Sequence, residues 1–489
     1  MKISQLGLVL GPLLFLAITY LVQPAGLSSE GVSLLAITAW IAVWWISEAI
    51  PIAATAMLPL VLFPLTGILG IKETSIAYSD PMVLLYMGGF MIAVTIERWN
   101  LHKRIALNII AFMGTDMRRI IFGFMLATAF LSMWISNTAT SLMMLPIAVA
   151  VISQMATQLP DKYYAENTVG RSLMLGIAYS ASIGGMATII GTPTNIILVG
   201  VIKKTYGIEI GFSDWMMIGL PLSLLLLGVC WYFLVYVAFD LRPAAKVTGG
   251  KEEIVQQLKT LGKITVEERR VLYIFLGVSG SWISRSFLFK ELVPVLDDTI
   301  IALLGVLLLF VIPAKKGSGP RLLDWKTAES IPWGILILFG GGLALAIGFQ
   351  QTGLAQWIGN QFVLLQNVSF WLFLLLIILS VNFLTEITSN VATASMLLPI
   401  LAAVALAMNV HPFGLMVAAT MAASCAFMLP VATPPNAVVF GSGFLTIPAM
   451  MRAGFWMNLI SVLLIFIVIL TLLPRLWGID LHAFPDSMR

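Results

Sequence analysis

Long runs of apolar residues follow one another along nearly the whole chain, separated by short polar segments. Many of these runs reach about 18 residues, the length that a helix needs to cross the apolar core of a bilayer. The runs are continuous and do not alternate, which argues against a transmembrane barrel. Because only helices and closed barrels cross membranes, the pattern predicts an all-α polytopic membrane protein with about 11 transmembrane helices.

One apolar run, at residues 120–153, is interrupted near its middle by polar residues. About 15 apolar residues remain on each side, too few to cross a membrane of roughly 30 Å as a helix. We therefore expect a re-entrant hairpin with the polar residues at its tip. A second hairpin is expected at 370–408, where eight of twelve tip positions are identical: Ser136 begins SNTATSLMMLPI, and Ser389 begins SNVATASMLLPI.

Each hairpin is followed by a second polar phrase inside an apolar run. Residues 191–195 read GTPTN, and residues 432–436 read ATPPN. Proline disrupts a helix interior but is well suited to the first turn of a helix. The two phrases therefore predict broken helices at 170–204 and 413–447.

The repeated phrases divide the chain into two halves of the same order. A polar, basic stretch lies between them and is expected to be a cytoplasmic linker. The predicted organisation is an N-terminal helix at 1–30, a first repeat at 31–240, the linker at 241–270, a second repeat at 271–474 and a C-terminal tail at 475–489.

The distribution of Lys and Arg predicts the orientation. A cytoplasmic N-terminus places 20 of the 27 Lys and Arg residues on the inner side, as the positive-inside rule requires. An odd number of spans then places the C-terminus outside, and the two hairpins open from opposite sides. Inverted repeats with paired interrupted segments are typical of secondary transporters.

Composition excludes several other classes of protein. The chain is 60% hydrophobic and 10% charged, whereas a soluble domain has about 25% charged residues. Its two cysteines and three histidines form no metal-binding motif. No constellation of nucleophile and base indicates an enzyme, and the net charge of +4 belongs to loops and does not indicate nucleic-acid binding.

The polar phrases predict four helix starts within the membrane. Free N–H groups and the positive end of the dipole make a helix start a binding site for anions. Arg and Lys are absent from 120–160, and Lys326 is the only one within 322–451. An anion bound there therefore needs hydroxyls, amides, helix dipoles and co-bound cations.

Some candidate residues keep two interpretations. Asn137 and Asn390 are expected to bind ligands, although a helix-capping role alone is the alternative for each. Glu386 is an intramembrane carboxylate and hence a functional candidate. Its counterpart in the first half is Met133, so structural and functional roles for Glu386 stay open.

The paired SNT-type tips, the two Thr-Pro breaks and the phrase WISEAIP at 45–51 resemble the divalent anion/sodium symporter family over nearly the whole chain. The resemblance implies a homodimer in the plasma membrane, with a scaffold domain and a transport domain that moves like an elevator. It also implies transport of carboxylates such as succinate, malate, fumarate or citrate, usually together with sodium ions.

The same resemblance implies the binding residues. The substrate would contact Ser136, Asn137, Thr138, Thr192, Ser389, Asn390, Thr433 and Pro434. One sodium ion would contact Ser132, Ser136, Asn137 and Gly191, and the other Thr385, Thr388, Asn390 and Ala432. Ser132 and Thr385 each lie four residues before their motif, so the repeat itself supports the pairing of the two sodium sites.

The second tip departs from the first at its third position, where Val391 replaces a threonine. Valine donates no hydrogen bond, so we expect this residue to affect substrate preference. The expected function is sodium-coupled symport of C4-dicarboxylates. A sodium-independent dicarboxylate exchanger and a symporter that prefers citrate remain the alternatives.

Overall fold

The computed structural model describes residues 3–22, 24–114, 116–158, 165–239, 241, 250–285, 288, 293, 295–315, 320–361 and 368–488. These residues form helices, turns and loops. Within them no strand is present, and an isolated bridge joins Pro313 to Arg321. The predicted all-α class is confirmed.

The first half is a series of helices joined by short turns. The helices are α1 (Ile3–Leu21), α2 (Ser29–Ser47), α3 (Ile52–Thr55), α4 (Leu58–Thr66), α5 (Ile71–Ile76), α6 (Pro81–Arg98), α7 (Leu101–Phe112), α8 (Met117–Ser132), α9 (Asn137–Gln158), α10 (Arg171–Gly185), α11 (Pro193–Tyr206) and α12 (Phe212–Tyr232).

The second half begins after a helix in the linker region. Its helices, with that one first, are α13 (Gly250–Leu261), α14 (Val266–Ser284), α15 (Asp298–Val311), α16 (Trp325–Ala328), α17 (Trp333–Gln351), α18 (Leu354–Gln361), α19 (Phe370–Leu384), α20 (Asn390–Ala407), α21 (Pro412–Ala423), α22 (Pro434–Phe440), α23 (Ile447–Thr471) and α24 (Leu473–Trp477).

Among the described residues, eight helical segments are long and apolar enough to cross a bilayer: Ser4–Leu21, Ser29–Ser47, Ile71–Arg98, Asn137–Ala156, Phe212–Ala238, Trp333–Gln351, Asn390–Ala407 and Ile447–Trp477. Other apolar helices are shorter. For example, α15 has 14 residues and is therefore about 21 Å long. The predicted count of about 11 transmembrane helices stays a prediction.

The two halves contain the same series of elements. Helices α6 to α12 of the first half have their counterparts in α17 to α23 of the second. Asn100 lies between α6 and α7 with φ 55°, and Gly353 lies between α17 and α18 with φ 70°. Asn137 and Asn390 then begin the corresponding helices α9 and α20 at the same spacing. The internal repeat thus extends well beyond the tip sequences.

The structure adds detail that the apolar pattern did not predict. The expected linker contains α13, which packs against α7 and α9. Arg104 of α7 donates hydrogen bonds to the carbonyl oxygens of Gly262 (2.9 Å) and Leu261 (3.3 Å) at the end of α13. The same guanidinium forms an ion pair of 3.0 Å with Glu268 of α14. The linker region is therefore attached to α7 of the first half.

One apolar run forms two helices, and one predicted helix has different bounds in the structure. The run at 51–70 forms α3 and α4, because the chain turns at Ala56 and Met57. The second broken helix does not continue to residue 447. It ends at Phe440, and α23 begins at Ile447 with proline in its first turn.

Glycines allow close packing of the helices next to the binding elements. A Cβ atom on Gly88 would lie 2.9 Å from the Cβ of Ala302, and one on Gly340 would lie 2.4 Å from Cδ1 of Tyr78. A Cβ atom on Gly341 would lie 2.5 Å from the carbonyl oxygen of Ala56. Small residues have this packing role in membrane proteins generally.

Candidate ion and substrate site

The first tip, residues 132–138, contains a compact group of oxygen atoms. Helix α8 ends at Ser132, and α9 begins at Asn137. Ser132 Oγ lies 2.5 Å from Asn137 Oδ1 and 2.7 Å from the carbonyl oxygen of Ala181 on α10. One hydroxyl has a single proton and can donate to only one of these two acceptors. Three oxygens thus converge with too few protons, an arrangement that favours a bound cation.

The second tip, residues 385–391, repeats this geometry. Thr385 Oγ1 lies 2.6 Å from Asn390 Oδ1 and 3.0 Å from the carbonyl oxygen of Ala423 on α21. Each tip therefore combines a hydroxyl, an asparagine amide oxygen and a carbonyl oxygen from the following helix. The matching chemistry arises because the repeat preserves both the residue types and their spacing.

The first tip packs directly against the first break, residues 186–192, which separates α10 from α11. A Cβ atom on Gly185 would lie 2.7 Å from Asn137 Oδ1 and 3.1 Å from the carbonyl oxygen of Gly191. Any side chain at residue 185 would therefore displace Asn137. The structure brings Ser132, Asn137 and Gly191 into one neighbourhood that sodium, which prefers hard oxygen ligands, would fit.

Two asparagines, Asn195 and Asn436, hold the breaks in place, a role that the sequence predictions do not include. Asn195 Nδ2 donates to the carbonyl oxygens of Gly185 (3.2 Å), Met186 (3.3 Å) and Thr188 (2.8 Å). In the second break, residues 424–433, Asn436 Nδ2 donates to those of Ala426 (3.1 Å) and Leu429 (3.0 Å). These amides satisfy carbonyls that a helix terminus leaves without partners. The shared final asparagine of GTPTN and ATPPN was the signal for this role.

The two Thr-Pro phrases begin helices as predicted, but their threonines differ. Thr192 and Thr433 are the N-cap residues of α11 and α22. The Thr433 hydroxyl accepts a hydrogen bond of 3.3 Å from the N–H of Asn436. Within the described chain, the Thr192 side chain makes no such capping bond, which leaves its hydroxyl available to a ligand.

Exposure separates the candidate residues into two groups. Thr192 and Thr433 are buried, whereas Pro434 is exposed. The remaining proposed substrate ligands are partly exposed and can be reached from outside the helix bundle: Ser136, Asn137, Thr138, Ser389 and Asn390. Val391 is partly exposed like these residues, and its side chain packs against the apolar core.

The structure does not bring every expected sodium ligand to its site through a side chain. The Thr388 hydroxyl lies 2.7 Å from Thr393 Oγ1 and donates to the carbonyl oxygen of Leu384 at 2.9 Å. The proton of this hydroxyl is thus used within the second half, so a sodium ion could contact only a lone pair of Oγ1 or the backbone carbonyl of Thr388. Ala432, which is buried and has no side-chain oxygen, could contribute only its backbone carbonyl.

Glu386 attaches the second tip to the second break. Its side chain is buried, and Oε1 accepts hydrogen bonds from the N–H groups of Phe427 (2.7 Å) and Met428 (2.9 Å) and from Asn458 Nδ2 (2.7 Å). Oε2 accepts one of 3.1 Å from the N–H of Leu429. All four donors are thus satisfied by one carboxylate, which gives Glu386 a structural role.

The first half makes the equivalent connection without a carboxylate. The Thr188 hydroxyl of the first break donates a hydrogen bond of 2.6 Å to the carbonyl oxygen of Met133, the counterpart of Glu386. Thr194 Oγ1, in the first turn of α11, lies 2.8 Å from Ser424 Oγ and thereby links the start of α11 to the second break. Tips and breaks from both halves therefore form one connected unit.

The candidate site has oxygen atoms in two matching groups, four helix starts and no acid–base catalytic arrangement among its described residues. Across the described chain, no group of three or more His, Cys, Asp or Glu residues could hold a metal ion. Such a site, built within apolar helices, is typical of a protein that moves small solutes across membranes.

Comparison with known proteins identifies the family. The family model for the sodium:sulfate symporter transmembrane region matches residues 3–479. The chain belongs to this family and is a membrane transporter that carries sodium as a co-transported ion, not an enzyme.

Curated relatives match over nearly their whole length. The chain is 49% identical over 487 residues to the sodium-dependent dicarboxylate transporter SdcS of Staphylococcus saprophyticus, covering 98% of this chain and 93% of that protein. It is 48% identical over 485 residues to the protein of the same name from Staphylococcus aureus strain USA300, covering 98% and 92%.

Solved structures share the fold at low sequence identity. The YdaH transporter of Alcanivorax borkumensis has a TM-score of 0.59 at 12% identity, with 97% of both chains covered. MtrF of Neisseria gonorrhoeae has a TM-score of 0.56 at 12% identity, with 96% of this chain and 94% of that chain covered. These similarities support the all-helical fold.

Proposed function

We propose that this protein is a sodium-coupled symporter that imports C4-dicarboxylates such as succinate, malate and fumarate through the plasma membrane. The observation that carries the proposal is the pair of matching oxygen groups at Ser132–Asn137 and Thr385–Asn390. The names of the SdcS relatives support the dicarboxylate class.

Charge balance explains why substrate and sodium would bind together. A C4-dicarboxylate carries two negative charges near neutral pH, and no Arg or Lys lies within 120–160. Two sodium ions, one at each tip, would neutralise both carboxylates. Helix starts at α9, α11, α20 and α22 would add the positive ends of their dipoles.

The proposed assignment of residues is the one that the family resemblance implies. One sodium ion would bind Ser132, Ser136, Asn137 and Gly191, and the other would bind Thr385, Thr388, Asn390 and Ala432. The substrate would contact the SNT residues of both tips together with Thr192, Thr433 and Pro434. Because Asn137 and Asn390 belong to both sets, loss of either ion should weaken substrate binding, as linkage requires.

Transport would use alternating access. We propose that the two tips form re-entrant hairpins that open from opposite sides, with the N-terminus in the cytoplasm and the C-terminus outside. The connected tips and breaks would move as a transport domain against a scaffold in an elevator-type motion within a homodimer. The links between Glu386, the second break and Thr194–Ser424 support movement as one body.

The test is uptake of labelled succinate into proteoliposomes containing the purified protein. We expect uptake with sodium outside and little uptake when choline replaces sodium. Uptake of equal rate in both conditions would exclude sodium coupling. Uptake only into vesicles preloaded with dicarboxylate would instead establish exchange, and stronger competition by citrate than by malate would establish a tricarboxylate preference.

A further inference from the structure

A cavity of about 320 Å³ lies beside the first tip, between the end of α6, the start of α7 and the first turns of α9. It is on the predicted cytoplasmic side. Its apolar lining comes from Ile135 and three residues of α9. Its polar lining consists of Glu97, Asn100, His102, Lys103 and Thr140.

Thr140 lines this cavity, and its hydroxyl lacks a hydrogen-bond partner within the described chain. The residue is 2% exposed. The corresponding Thr393 of the second half has its hydroxyl 2.7 Å from Thr388 Oγ1. Ile135 occupies the place of Thr388 in the first half and cannot hydrogen-bond. Burial of an unpaired hydroxyl is unfavourable, so Thr140 has unused hydrogen-bonding capacity next to the cavity.

Glu97 contributes a carboxylate without a counter-ion to the same cavity. It is partly buried and forms no ion pair or hydrogen bond with the described residues. The neighbouring arginines are already paired, Arg98 with Asp324 at 2.6 Å and Arg104 with Glu268 at 3.0 Å. A carboxylate within a membrane protein requires a compensating charge.

The second half has no carboxylate at the position that corresponds to Glu97. Gln350 occupies this position, and its amide donates a hydrogen bond of 2.8 Å to the carbonyl oxygen of Thr205. The acid and the unpaired hydroxyl are thus both specific to the first half. Glu97 and Thr140 line the same cavity. The two halves therefore differ at one local site.

The other polar residues leave the inner part of the cavity negative. His102 is buried, and its Nδ1 lies 3.2 Å from the carbonyl oxygen of Ile96, so this nitrogen is paired with the backbone. Lys103 is exposed at the rim. Oxygen acceptors thus predominate around Glu97 and Thr140.

We propose that this cavity binds a sodium ion through the Glu97 carboxylate, the Thr140 hydroxyl and the Asn100 amide oxygen, in addition to the ions at the two tips. Hard oxygen ligands with one negative charge suit a small monovalent cation. Thr140 lies within one turn of Asn137 on α9, so this ion would stabilise the helix start that carries the first oxygen group. The inference rests on the proposed sodium-coupled function.

The experiment measures succinate uptake as a function of sodium concentration for three variants in proteoliposomes. Glu97→Gln and the near-isosteric Thr140→Val should each raise the sodium concentration for half-maximal uptake by about tenfold, as loss of a metal-binding contact commonly does, and should make the sodium dependence less steep. Lys103→Met is the matched control, because it removes a charge from the same cavity. It should leave sodium affinity unchanged or increase it.

Unaltered sodium dependence in both Glu97→Gln and Thr140→Val would overturn the proposal. So would a loss of succinate affinity in Lys103→Met alone, since it would indicate an anion site. If Glu97→Gln does not fold, Thr140→Val decides by itself. A wild-type protein with sodium-independent uptake would refute the proposed function instead, and labelled sodium binding to wild type and Thr140→Val would then test the cavity directly.

Discussion

At the scale of single residues, Asn137 and Asn390 have the most consequential geometry. Each amide oxygen lies within 2.6 Å of a hydroxyl that also approaches a helix carbonyl. A capping role alone would require the side chain to accept bonds from backbone N–H groups. The observed contacts are instead with hydroxyl oxygens, which agrees with a ligand role.

Replacement of either asparagine should therefore impair both sodium and succinate binding. We expect Asn137→Ala and Asn390→Ala each to reduce succinate uptake by at least about tenfold and to raise the sodium requirement. Asn108→Ala, which removes an exposed asparagine from α7, is the control and should transport normally. Near-normal uptake and sodium dependence in both tip variants would refute a shared site.

Glu386 gives a prediction about stability. A glutamine side chain has one acceptor oxygen and one NH₂ group. In Glu386→Gln, the NH₂ group would face a backbone N–H that now donates to the carboxylate, and that N–H would lose its acceptor. Leaving one buried donor unpaired costs about 1–3 kcal/mol, and we expect a lower melting temperature in detergent. The exposed Glu329→Gln should change stability by less than about 0.5 kcal/mol. Equal melting temperatures for the two variants would contradict the structural role.

At the scale of elements, the two Thr-Pro helix starts make a matched pair. Thr433 caps α22 through its hydroxyl, whereas Thr192 does not cap α11 within the described chain. Thr433→Val should therefore destabilise the protein by about 1 kcal/mol, the usual effect of losing a cap. Thr192→Val should lower the stability less, as measured by thermal unfolding without ligand. A larger loss of stability in Thr192→Val than in Thr433→Val would contradict the capping geometry.

The elements that the sequence predicted best are those marked by local residues. The helix starts at Asn137, Pro193, Asn390 and Pro434 follow from proline and polar residues inside apolar runs. The sequence does not predict helix α13, because the stretch has few apolar residues and the helix is stabilised by packing on α7 and α9. The role of Glu386 could not be predicted, because its backbone partners begin 41 residues later in the sequence.

At the scale of the whole molecule, α11 connects the two tips to α6 and α17, which contribute no residue to the oxygen groups at the tips. Lys204, in the last turn of α11, forms an ion pair of 2.8 Å with Asp80, the N-cap of α6. Gln350 of α17 donates a hydrogen bond of 2.8 Å to the carbonyl oxygen of Thr205. If the tips and breaks move as one body, α11 must slide past α6 and α17, and both contacts must break during each transport cycle.

A reversible cross-link between Asp80→Cys and Lys204→Cys should therefore stop succinate uptake. The native Cys230 and Cys425 are buried and should not react with a cleavable thiol-specific cross-linker added from outside. We expect uptake to fall after cross-linking and to recover with a reducing agent.

The control pair, Arg98→Cys with Asp324→Cys, replaces an ion pair of 2.6 Å between α6 and the N-cap of α16, which lie outside the proposed moving body. Its cross-linking should leave uptake intact. Full activity of the cross-linked Asp80/Lys204 variant would mean that α11 does not move against α6, and the elevator-type motion would have to be abandoned.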